Sequence, residues 1–266
     1  MKKLAFPGVL LLIAVMTLAL AACNQFEPRD KRFYYRALWN FSLREDLAEL
    51  DSEFNGVDFG HSNLYENLLL TGGQDIPAIE DRARKETLAF IASKPRINPN
   101  EEAIAPTYMK LAWRAQNTFD EAHALHRATY DIMASDEPDK DRAIRNVLTY
   151  YRESAYAITV KRLDHHRLDR FPYSSTFRTR FPLFNATIWS YHYLQVAVYD
   201  PLQAARDLAA KTQAVRPILT TYRRYLEQPP VEWTFMPLTA ELSPSFAARY
   251  PEIANIFDNL HMLHDN

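Results

Sequence analysis

Glycine is scarce in this chain: five occur in 266 residues, at positions 8, 56, 60, 72 and 73, and none in the last 193. The sequence therefore contains no G-x-G-x-x-G, no G-x-x-x-x-G-K-[ST] and no G-x-S-x-G. Phosphate-cradling loops and the nucleophile elbow of α/β-hydrolases are excluded with them. Cysteine is scarcer still, with Cys23 alone. Beyond it there is no disulfide, thiolate metal site, C-x-x-C-H haem attachment or cysteine nucleophile. Neither charge dominates, at 31 Lys and Arg against 33 Asp and Glu, so nothing in the balance calls for nucleic acid as a partner. Alternating strand patterns and solenoid-length repeats are also missing. What is present is 47% apolar, 24% charged and 13% aromatic, a globular composition with enough apolar surface for a sizeable core.

Lys2 and Lys3 open the chain, residues 4 to 22 carry no charge, and Leu20-Ala21-Ala22-Cys23 follows. This start resembles the signal peptide and lipobox of bacterial lipoproteins. The resemblance implies cleavage after Ala22, a diacylglycerol thioether on Cys23 and acylation of the new amino group. Several acyl chains on one residue give stable membrane anchoring, where one alone binds marginally. Asn24 is not the aspartate that retains Gram-negative lipoproteins at the inner membrane. The implied address is then the periplasmic face of the outer membrane, or the cell membrane in another cell type. Loss of Lys2 and Lys3 leaves 29 basic against 33 acidic residues, a net charge of −4.

The expected organisation is a signal peptide over 1–22, a lipidated tether over 23–30 and one all-α domain of seven to nine helices over 31–266. Apolar residues recur at helical spacing from Lys31 to Phe54, and Asn55-Gly56 with Gly60 reads as the connection to a short helix over 63–70. Pro77 opens a helix to Ser93, and Pro106 a long one to Ala134. Ser135-Asp136-Glu137-Pro138 reads as a cap and first turn of a helix running to Asp169. Arg170 to Asn185 reads as an irregular connector. Ala186 to Tyr199, apolar on nearly every side, is the expected central helix. A helix from Asp200 to Glu227 carries Pro217 as an expected kink, and two short helices from Ser243 and Pro251 end the chain.

Histidine placement is the most distinctive pattern. Asp120-x-x-His123-x-x-His126 recurs as Asp258-x-x-His261-x-x-His264. At 100° per residue, His126 and His264 fall within apolar stripes and His123 and His261 at their edges. His165 aligns with Val147, Tyr151 and Ile158, and His192 sits in the all-apolar helix. Imidazoles converging from facing helices are how bundles build metal sites, so His126, His165, His192 and His264 are candidate ligands of a divalent metal. His123 and His261 are outer ligands in the same reading. The alternative is core histidines satisfied by tyrosine or carbonyl partners, and the chain has 15 tyrosines to supply them.

Two other segments invite a function. From Lys161 to Arg180 there are six Lys or Arg against two Asp, interleaved with Phe171, Tyr173, Phe177 and Phe181. Tyr173, Phe177, Arg178 and Arg180 form a candidate surface for a protein or an anionic envelope component. Arg152-Glu153-Ser154-Ala155-Tyr156 resembles the Glu-Ser-x-aromatic segment of lytic transglycosylases, which implies Glu153 as a general acid. The Gly-Leu-Met-Gln segment of that family does not follow, and Glu153 projects away from the apolar stripe. The leading expectation is a lipid-anchored, non-catalytic binding or assembly protein, ahead of a metal-binding protein and a cell-wall glycosidase.

Overall fold

A computed structural model describes residues 34–72, 74–232 and 235–264. The signal segment, Cys23 and the tether lie outside these residues. The fold is all-α: α1 (Ser42–Asp46), α2 (Ala48–Leu70), α3 (Ile76–Ala92), α4 (Glu101–Ile104) and α5 (Pro106–Ala134) come first. They are followed by α6 (Lys140–Arg152), α7 (His165–Asp169), α8 (Pro172–Arg180), α9 (Pro182–Ala197) and α10 (Tyr199–Ala204). The chain ends with α11 (Leu208–Glu227), α12 (Thr239–Leu242), α13 (Pro244–Arg249) and α14 (Pro251–His264). Segments of four to six residues carry the tally above seven to nine. Arg36–Asn266 clusters as one compact unit. No helix among the described residues is long and apolar enough to cross a membrane.

The helix that is apolar all round lies at the centre, as its composition requires. Phe184, Ile188 and Trp189 of α9 are buried with Leu64, Ala83, Met236 and Met262. Around α9 pack α2, α3 and α11, while α5 holds α2, α6 and α14. The last turn of α5 is finished by cations, as a helix C-terminus favours. Lys140 Nζ donates to the Ile132 and Ser135 carbonyls at 2.6 and 2.7 Å, and Lys211 Nζ to Ala134 at 2.6 Å.

Three stretches differ from the sequence expectation. Asn55-Gly56 and Gly60 do not interrupt the chain; one helix, α2, runs through both. Their lack of a side chain serves close packing instead, because a Cβ on Gly56 would overlap Ile91 and one on Gly60 would overlap the Tyr191 phenol. The helix expected from Pro138 to Asp169 stops at Arg152. There the Tyr151 hydroxyl lies 3.1 Å from the Ile158 backbone N–H and accepts from it, turning the chain away. The connector over 170–185 contains α8 and the first turn of α9, each opened by the proline of its Arg-Phe-Pro triplet. Pro217 lies inside α11, and the non-helical residue is Ala112 in α5.

Gly60→Ala sets two effects against each other. Helix propensity favours alanine by ~1 kcal/mol, whereas overpacking against a fixed aromatic costs ~1–3 kcal/mol. Tyr191 is buried and its hydroxyl contacts Thr87 Oγ1 at 3.3 Å, so the steric cost wins. The variant is expected to unfold at lower urea concentration with unchanged slope. A stabilised variant would show that α2 and α9 are not in close contact there.

Asp131 caps α1 from across the core. Its carboxylate accepts the Leu43 N–H at 2.8 Å and the Phe41 N–H at 3.2 Å. Burial outweighs these bonds and raises its pKa to about 6. The folded state therefore keeps a proton that the unfolded chain releases near pH 4, so this group's contribution to stability falls as pH rises from about 4 to about 6. Across that window the loss amounts to about 3 kcal/mol. Asp131→Asn should remove that slope, read as the difference between wild-type and variant urea unfolding at pH 4, 5, 6 and 7. A constant difference across the window would contradict it.

Candidate metal centre

Five helices bring titratable side chains to one buried place. Asp58 and His61 lie one turn apart on a single face of α2, as i, i+3 spacing requires. Glu101 opens α4, whose N-cap Asn100 accepts the Ala103 N–H at 3.2 Å. His123 projects from α5, His192 from α9 and His264 from the last turn of α14. The ligand atoms of His61, His192 and His264 all lie within 4.8 Å of one another. Those of Asp58, Glu101 and His123 form a second set with the same spread. The two sets adjoin, with the His61 and His123 rings stacked at 5.5 Å between centroids.

In the first set, His192 Nδ1 lies 3.0 Å from Met236 Sδ, and its Nε2 lies 2.8 Å from His264 Nδ1. The thioether only accepts, which puts the His192 proton on Nδ1 and makes Nε2 the acceptor of the His264 Nδ1–H; an ion between the two rings would take that proton's place as it moves to His264 Nε2. His264 is half-buried, but its Nε2 is shut off from solvent and its ring is stacked 3.9 Å from Phe119. His61 is 3% exposed and its ring lies 4.6 Å from His264. No side chain hydrogen-bonds either ring nitrogen of His61. Its polar neighbour is the Val57 backbone, one turn earlier. Burial holds the imidazoles of His61, His192 and His264 well below the ordinary histidine pKa, and neighbouring histidines lower them further. The result is a nest of neutral imidazoles, the form in which histidine binds metals.

In the second set, His123 Nδ1 faces Asp58 Oδ1 at 3.3 Å and Glu101 Oε1 at 3.5 Å. Glu101 Oε2 accepts from Ser62 Oγ at 3.1 Å and Gln116 Nε2 at 2.9 Å. The same Gln116 amide donates to Asp120 Oδ1 at 2.9 Å. Burial lowers the His123 pKa, but Asp58, Glu101 and Asp120 outweigh it and carry the ring to about 9.

The expected ligands divide. His192 and His264 meet, and His123 joins the adjoining set. His261 stacks on His192 at 3.9 Å, has the Pro237 backbone as its polar neighbour, and stands outside both sets. His126 is turned away: its Nδ1 lies 2.6 Å from the Tyr199 hydroxyl and its ring 3.5 Å from Phe257. His165 is buried, though not on the helix drawn from the sequence, and its Nε2 meets Asn259 Oδ1 at 3.0 Å. His126 is a satisfied core histidine, and His165 is bonded at Nε2 while its buried Nδ1 has no hydrogen-bond partner. His61, Asp58 and Glu101 were missed. Asp58-x-x-His61 is a third copy of the Asp-x-x-His spacing, hidden because the neighbouring glycines read as a break.

On the surface, Tyr173 is 76% exposed and Arg180 is exposed with its guanidinium 5.8 Å from the Phe181 ring. Phe177 packs inward at 5.1 Å from Phe184, and Arg178 is half-buried. Glu153 is exposed at the end of α6, beside Ser154, whose hydroxyl donates to Glu121 at 2.5 Å. That is not the desolvated setting a general-acid carboxyl needs. No protein-family profile, curated protein or solved structure matches this chain.

Proposed function

We propose that this protein binds a divalent transition metal through His61, His192 and His264. The observation that carries the reading is three imidazoles whose ligand atoms lie within 4.8 Å of one another, the buried His61 among them with no side-chain hydrogen-bond partner. An unsatisfied buried polar group costs ~1–3 kcal/mol, and a metal ion would convert that cost into a bond. An all-nitrogen set suits zinc, copper, nickel or iron, whereas calcium and magnesium prefer oxygen. The 2.8 Å between His192 Nε2 and His264 Nδ1 subtends ~85° at an ion with 2.0–2.1 Å bonds. Such an angle belongs to six-coordinate or tetragonal geometry. The Met236 thioether occupies the other His192 nitrogen, the one through which metal-ligating histidines typically donate to a carboxylate, carbonyl or water. With the lipidated Cys23 implied by the N-terminal sequence, the centre would be held at the periplasmic face of the outer membrane. The test is zinc competition against a chromophoric chelator, using the full chain in detergent after chelator stripping. Tight zinc binding by the wild type that is lost in His61→Ala is the expected result. A folded wild type that leaves all zinc on the chelator overturns the reading.

A second reading concerns α8, whose outer face presents Phe171, Tyr173 and Arg180 to solvent. It favours a protein or anionic envelope partner docking there. Tyr173→Ala with Arg180→Ala should then reduce crosslinking to envelope components without changing the circular dichroism or the metal content. Unchanged crosslinking would remove this surface from the account.

A further inference from the structure

We propose that the centre is dinuclear, with Asp58, Glu101 and His123 holding a second divalent cation beside the one on His61, His192 and His264. The proposal takes its neighbouring ion from the tri-histidine reading, but its own ligands are separate. Its first support is geometric. His123 Nδ1 stands 3.3 Å from Asp58 Oδ1 and 3.5 Å from Glu101 Oε1. Charge-assisted hydrogen bonds close to about 2.7–2.9 Å, so Glu101 meets the ring at the outer limit of a hydrogen bond and Asp58 as a long ion pair. Separations of 3.3–3.5 Å are instead what two ligands of a tetrahedral ion span, since bonds of 2.0–2.2 Å then open at ~105–115°. One ring nitrogen and two carboxylate oxygens, all within 4.8 Å of one another, supply three ligand atoms for such an ion.

The second support is charge and chemistry. Asp58 is 1% exposed and Glu101 4%. Together they bring two carboxylates into the core, where the His123 ring is the cation that faces them and a dication on its nitrogen would take the place of its proton. Three protein ligands leave the fourth position of a tetrahedral ion open, as in zinc sites that hold a water. Gln116 fixes the outer shell by donating to Glu101 and Asp120 at once. The third support is His61. It is buried, has no side-chain hydrogen-bond partner, and shares a helix face with Asp58 while stacking on His123. His61 thus joins one group of ligands to the other. The angles differ between the two, ~85° in the nitrogen set against ~105–115° here, so the two ions would differ in coordination.

The full chain in detergent, stripped of metal and titrated with zinc against a chromophoric chelator, tests this. Wild type should take two equivalents, Asp58→Asn with Glu101→Gln one, and His264→Ala one. If wild type takes one, lost in His264→Ala but kept in the Asp58/Glu101 variant, the second site is overturned and the tri-histidine site stands. If wild type takes one, lost in the Asp58/Glu101 variant but kept in His264→Ala, the carboxylate site stands and the tri-histidine reading falls. Two equivalents retained by the Asp58/Glu101 variant would also overturn this proposal. Should that variant fail to fold, cobalt(II) titration of the wild type decides. A weak six-coordinate spectrum joined by an intense four-coordinate band, each saturating at one equivalent, is expected. Saturation with one type of spectrum at one equivalent overturns it.

Discussion

His192→Ala is expected to weaken transition-metal binding at the tri-histidine site by at least ~100-fold, while the far-ultraviolet circular dichroism stays helical. Disturbing an outer-shell partner alone typically costs 10–100-fold in affinity, and this change removes a ligand outright. The informative control is His126→Ala. Both histidines are buried on core helices and both read from the sequence as candidate ligands. His126, however, spends its Nδ1 on the Tyr199 hydroxyl at 2.6 Å and its ring face on Phe257 at 3.5 Å. Removing it should cost ~2–4 kcal/mol of stability through the lost packing and the stranded hydroxyl, with metal affinity changed little. Chelator competition and urea unfolding on the two variants separate the roles. Equal loss of metal in both would mean that His126 coordinates after all.

The second large effect is on stability. Zinc supplied at ~100–1,000 times its dissociation constant stabilises the folded state by ~2.7–4.1 kcal/mol, provided the unfolded chain does not compete. For a chain of this size each kcal/mol moves the melting temperature by ~2–4 °C, so zinc should raise it by roughly 5–15 °C. The gain has a local origin. Without an ion, His61 has no side-chain hydrogen-bond partner and the last turn of α14 is held at the His264 ring by Phe119, His61 and His192. An ion would tie α2, α9 and α14 together at that point. Differential scanning calorimetry with zinc and then excess chelator checks it, and a melting temperature indifferent to both would contradict it.

The helical class and the central helix were legible because periodicity and apolar content decide them. Ala186 to Tyr199 had nowhere to go but the core, and α9 occupies it. His192 and His264 were legible for the same reason. The failures have equally local causes. Gly56 and Gly60 carry the same signal whether they break a helix or let another helix approach, and only Ile91 and Tyr191 decide between these. That ambiguity concealed His61 and Asp58. His126 and His165 projected into the core as surely as His192 did, but their partners, Tyr199 and Asn259, stand 73 and 94 residues away. Periodicity says that a side chain is buried and not what it meets. Glu101 was invisible because a four-residue helix has no period to read.

The most direct test of the metal centre is a crystal of the protein grown with zinc and measured on both sides of the zinc absorption edge. An anomalous peak at ~2.0–2.1 Å from nitrogens of His61, His192 and His264 is the predicted result. Zinc peaks confined to surface groups such as the exposed His166, with the three imidazoles unchanged around one another, would contradict it.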